Sequence, residues 1–160
     1  MRRLFPLVLA VTLLAGCGVR PSAVVPAGEA PRKFTAEVTA LYFVLNGGLY
    51  RSERIDTQPL SVSQKVDLLF AGPRADEREK GVTTALPTIT GGGSEVVRQT
   101  PQRYEVRVRA AVAELSSRAL DQLVCTVLAG EAAEHAMAVG SLVSVAGTSG
   151  RREDRGCPLD

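Results

Sequence analysis

Between Tyr104 and Ala113 the chain alternates strictly. Tyr104, Val106, Val108, Ala110 and Val112 fall on one side, and Glu105, Arg107, Arg109, Ala111 and Ala113 on the other. A period of two is that of a β-strand with one face on a core and the other wet over most of its length. Such a strand needs a neighbour to pair with and a layer to cover its apolar face. Glu95–Gln99 offers the neighbour, joined through a turn at Thr100-Pro101-Gln102. A second hairpin is predicted earlier. Glu37–Asn46 is rich in β-branched and aromatic residues, with Leu41, Phe43 and Leu45 alternating with Tyr42 and Val44. Both faces are apolar, which predicts a strand covered on both sides. Gly47-Gly48 marks the turn, and Leu49–Ile55 is a more polar partner nearer an edge.

The covering layer comes from two helices. Ser61 and Gln64 are spaced as a capping box, and Val62, Val66, Leu69 and Phe70 then form one apolar stripe. Ala71-Gly72-Pro73 stops that helix. Ser116 or Ser117 caps the second, whose stripe is Leu120, Leu123, Val124, Val127 and Leu128 and which ends at Gly130. Arg74–Lys80 reads as one exposed helical turn, its mixed charges a solvated face, and Gly81–Pro87 as a short extended piece. Thr88–Ser94 is a loop, Ser141–Val145 the last strand, and the remainder from Gly147 a polar tail. The order, strand–strand–helix–(short strand)–strand–strand–helix–strand, predicts a two-layer α+β fold with both amphipathic helices packed on one face of a mixed or antiparallel sheet.

The first residues have a different purpose. Arg2 and Arg3 precede a twelve-residue, mostly apolar run, Leu4–Ala15. A bilayer-spanning helix needs about 20 residues, whereas the run suits the core of an export signal. It closes in Leu14-Ala15-Gly16-Cys17, which resembles the lipobox of bacterial lipoproteins. The resemblance implies cleavage after Gly16, with residues 1–16 a signal peptide, and a lipid on the Cys17 thiol. Two or three acyl chains on that cysteine would hold the protein firmly at the membrane. Residues 17–35 then read as a flexible tether, since Gly18–Pro31 carries three Pro and two Gly among small residues. Order begins near Phe34, and residues 36–160 make the domain.

Composition narrows the chemistry. Of 160 residues none is Trp and 4% are aromatic, which leaves no stacking platform for single-stranded nucleic acid. Removing Arg2 and Arg3 leaves 19 − 2 = 17 basic against 17 acidic residues, so no basic excess draws a polyanion. His135 is the one histidine, and with Glu131 and Glu134 it offers no three-ligand metal set. It reads as a surface loop residue. Gly91-Gly92-Gly93-Ser94 is followed by neither Lys nor a helix, so it is not a phosphate-cradling loop. No cofactor or metal is expected. Cys125 and Cys157 remain beside the lipid acceptor, and outside the cytoplasm such a pair forms a disulfide. It would close a loop of about 33 residues, for which chain entropy gives roughly 3–4 kcal/mol. A buried free Cys125 and a redox pair are the rival readings. The latter lacks a Cys-x-x-Cys motif.

One resemblance runs through most of the chain. Leu41-Tyr42-Phe43-Val44, the capped helix ending Leu68-Leu69-Phe70-Ala71-Gly72-Pro73, and Gly81-Val82-Thr83-Thr84-Ala85-Leu86-Pro87 follow one another as in a GerMN domain, named for a germination and sporulation protein. Leu120-Asp121-Gln122-Leu123-Val124-Cys125-Thr126 with the distant Cys157-Pro158-Leu159 is similar to the small single-domain lipoproteins of that family in actinobacteria. The likeness covers roughly residues 36–160. It implies a βαββαβ-like α+β module akin to the ring-building domains of sporulation and secretion assemblies. It also implies an envelope-facing, non-enzymatic role with no catalytic residues. One domain in place of a tandem pair departs from the ring-forming arrangement.

The expected function is therefore that of a lipid-anchored protein on the extracytoplasmic face of the cell membrane. It would bind or assemble with an envelope protein or a cell-wall component and not with nucleic acid. The alternatives are a surface ligand-binding lipoprotein and a small cell-wall hydrolase.

Overall fold

The computed structural model describes residues 37–89, 91–135 and 140–159. Cys17 and the residues read as a signal peptide and a tether lie outside them. The first hairpin pairs β1 (Glu37–Leu45) with β2 (Gly48–Asp56) in unbroken antiparallel register from Glu37↔Asp56 to Leu45↔Gly48. Its turn is Asn46-Gly47 rather than Gly47-Gly48. Both turn residues have positive φ, 51° and 77°, the two-residue geometry whose twist matches that of the strands.

Helix α1 (Val62–Ala71) has the expected reciprocal cap. Gln64 N–H donates to Ser61 Oγ (3.3 Å) and Ser61 N–H to Gln64 Oε1 (2.9 Å). The short helix α2 (Ala75–Glu79) follows, then the antiparallel pair β3 (Glu95–Thr100) and β4 (Arg103–Arg107). A 3-10 turn at Val112–Glu114 leads into α3 (Ser117–Glu134), capped by Ser116, and β5 (Leu142–Gly147) pairs antiparallel with β6 (Gly150–Arg155). Strands β4 and β5 are parallel, with α3 as their crossover.

The α+β class holds, but the strands form two sheets, β1-β2 and β3-β4-β5-β6, rather than one. Helix α3 serves both, packing on β1, on β5 and on α1. The shared core contains Leu41, Phe43, Leu69, Val106, Leu123 and Val145.

Four expectations are corrected. Strand β1 is not covered on both sides: Leu41 and Phe43 are fully buried, but Tyr42 and Val44 are half-buried and Val38 is exposed. Strand β4 ends at Arg107, although Val108, Ala110 and Val112 remain buried; beyond it the chain still meets β5, through Val108 N–H donating to Ala146 O (2.9 Å). Helix α3 passes through Gly130 without stopping. A Cβ there would stand 3.1 Å from Val62 Cγ1 and Cγ2, so the glycine marks the close approach of α1 and α3. Finally, the polar tail contains β6, an edge strand that is exposed along most of its length.

Candidate functional site

Cys125 and Cys157 are joined in a disulfide, their Cα atoms 4.8 Å apart. Cys125 lies on the buried side of α3, and the bond holds the segment after β6 against that helix. His135 caps the C-terminal end of α3 and is exposed, with Nδ1 3.6 Å from Glu131 Oε2. Burial pushes the Glu131 carboxyl up from its ordinary range, while the charge of His135 pulls it the other way. No group of three potential metal ligands exists among the described residues. The glycine loop does hold a carboxylate, but one of the chain's own: Gly93 and Ser94 N–H donate to Asp67 of α1 (3.3 and 3.0 Å).

The charged stretch around α2 is not simply a solvated face. Glu77 is buried and lies against β2. Its carboxylate accepts from Arg54 Nε (3.1 Å) and Nη2 (2.6 Å), from the Arg74 N–H (2.5 Å) and from the Ser52 hydroxyl. Desolvation disfavours the charge, but these hydrogen bonds and the Arg54 guanidinium outweigh it and lower the carboxyl to about 2. The constellation clamps α2 beneath β2. Arg54 also stands over the Phe43 ring, 5.2 Å from its centroid, and donates to Gly72 O (3.3 Å).

The opposite face of the hairpin is a surface. Val38 and Ile55 are cross-strand neighbours and are 50% and 73% exposed. Arg51 and Glu53 beside them are exposed and paired with each other along β2 (2.9 Å). The two edges of the hairpin differ. On the β1 side, Tyr42 N–H donates to Thr126 Oγ1 (3.0 Å), and Gln122 Nε2 donates to Tyr42 O (2.9 Å). Val44 exchanges two backbone bonds with Thr83 (2.9 and 2.8 Å). On the β2 side no backbone hydrogen bond reaches the outer edge among the described residues. No protein-family model, curated protein or solved structure matches the chain. The case for function therefore stands on these surfaces.

The outer face of the larger sheet is self-satisfied. Glu105, buried rather than wet, accepts from Arg107 Nε (2.8 Å), Arg151 Nη1 (2.6 Å) and Gln99 Nε2 (3.1 Å). Arg103 pairs with Asp154, Arg155 with Asp121 (3.2 Å), and Arg152 donates to Leu115 O (3.1 Å). The arginines of β6 are thus engaged within the fold. The larger sheet ends in the edge strands β3 and β6, and in the hairpin the outer edge of β2 can accept an added strand by backbone pairing. That Leu49–Ile55 is polar and near an edge is legible in the sequence; the burial of Glu77 is not, because neighbouring charges mask it. Nor is the role of Gln122 and Thr126, whose buried polar side chains stand beside the apolar stripe of α3 and close the edge of β1.

Proposed function

We propose that this chain is a lipid-anchored protein of the cell envelope whose α+β domain acts by binding and assembly rather than by catalysis. The observation that carries the reading is the Cys125–Cys157 disulfide, a bond that persists in oxidising compartments. It accords with export through the Leu4–Ala15 run and with a lipid on Cys17. The likeness to GerMN-domain lipoproteins points the same way, towards an envelope protein or a wall component as partner. The unpaired β2 edge, with apolar Ile55 and Val38 beside it, is a surface that supports the assembly part of this role.

The test is metabolic labelling with radioactive palmitate and fractionation of cells producing the full chain or its Cys17→Ser variant. The expected result is a labelled wild-type protein in the membrane fraction and an unlabelled variant released from it. An unlabelled, soluble wild-type protein would sink the proposal.

A further inference from the structure

We propose that the outer edge of β2 pairs with the same edge of a second copy of this chain, antiparallel and centred on Ser52. The direction of the backbone groups decides which residues face that edge. Tyr42 and Val44 spend their N–H and C=O groups on α3 and on Thr83 and so turn them away from β2. In an antiparallel ladder the residues opposite them, Arg51 and Leu49, then also turn theirs away from β1. By the two-residue period, Glu53 and Ile55 do the same. The groups of Leu49, Arg51, Glu53 and Ile55 therefore face the open edge together.

The side chains of these residues read as a self-complementary series. With Ser52 on a two-fold axis, Arg51 of one copy stands opposite Glu53 of the other, and Leu49 opposite Ile55. Each opposed pair exchanges two backbone bonds. An isologous contact requires this property of a surface, that each half of the patch match the other half. Edge strands that keep copies apart carry charged side chains, proline or an inward-pointing charge; β2 has such an inward charge in Arg54, which Glu77 neutralises within the fold. Here the exposed charges are of opposite sign and equidistant from the axis, so they attract. Within one copy Arg51 and Glu53 neutralise each other at 2.9 Å, half exposed to water; in the pair each gains a partner across the axis. Ile55, the most exposed large apolar side chain among the described residues, is covered by Leu49 of the other copy. A groove of 320 Å³, lined by Arg51, Ser52 and Glu53 of β2 and by Arg74 and Lys80 flanking α2, adjoins the strand. The result is a continuous sheet running β1-β2-β2-β1. The inference names a partner for the assembly role but rests on strand geometry alone, independent of the anchor.

Two differently tagged copies of the full chain, one Arg51→Cys and one Glu53→Cys, are produced together and treated with a mild oxidant. Directly opposed residues lie within disulfide reach, whereas Arg51 of one copy and Arg51 of the other are diagonal and beyond it. The mixture should therefore give at least about fivefold more cross-linked dimer than either variant alone. In sedimentation of the detergent-solubilised chain, Arg51→Glu should weaken association about tenfold, and Arg51→Glu with Glu53→Arg should restore it, which loss of folding cannot do. A mixture no better cross-linked than the single variants overturns the proposal. So does a cross-link to a protein of another mass, which would assign the edge to a foreign strand. Membrane or soluble location is read separately from cross-link yield, so failure of the anchor and failure of the pairing are distinguishable.

Discussion

Arg54 Nη2 and Glu77 Oε2 stand 2.6 Å apart with both side chains almost wholly removed from water. The contact joins the middle of β2 to α2, so the strand that offers the open edge is also pinned from beneath. Removing one partner strands the other charge in the interior.

Arg54→Ala or Glu77→Gln should each cost about 3–5 kcal/mol in urea unfolding. The carboxyl of Glu77 is lowered from 4.5 to about 2 on folding, so its contribution is present above pH 4.5 and lost as pH falls towards 2. At about 1.4 kcal/mol per unit this amounts to roughly 3 kcal/mol. The Glu77→Gln chain should lack that part of the acid sensitivity, and equal acid slopes in the two proteins would contradict the clamp.

Reducing the Cys125–Cys157 bond, or replacing both cysteines by serine, should lower stability by roughly 3–4 kcal/mol. Thermal melting with and without reductant measures it, and peptide mapping without reductant locates the cross-link. An unchanged melting temperature together with two free thiols would remove the bond from the account.

Gly147→Ala should destabilise the fold by at least about 2 kcal/mol. Gly147 closes β5, and an added Cβ would overlap the Ala110 carbonyl oxygen and Val112 Cγ2. That crossing is fixed by Thr148 N–H donating to Ala110 O (2.9 Å), so the neighbours have little room to yield. A melting curve identical to wild type would show that they do.

Periodicity made the hairpin of Glu37–Asp56 and the stripes of both long helices legible, because burial selects apolar residues at fixed spacing. It did not separate the two sheets, since a strand's pattern says which face is buried and not which neighbour it pairs with. Strand β6 was hidden for the same reason: Gly150–Arg155 is held by backbone pairing with β5, and neither of its faces repeats an apolar residue. Lys65 sits at an interior position of α1 yet reads as polar. It is 1% exposed, with its ammonium reaching Glu134 (3.2 Å) and Glu37 (3.7 Å). In the candidate surface, the exposed charges of β2 were legible. The direction of its unpaired backbone was not, because it depends on what α3 does to the opposite edge.

The disulfide also sets the load path through the molecule. A pull applied at Leu159 reaches Cys157 and crosses at once to Cys125 in α3, bypassing the 32-residue stretch that contains β5 and β6. Roughly 110 Å of extended chain is thereby withheld from any stretching. Those two strands can come apart only as a closed loop, never by being drawn out lengthwise, and the tension falls first on the helix that holds both sheets.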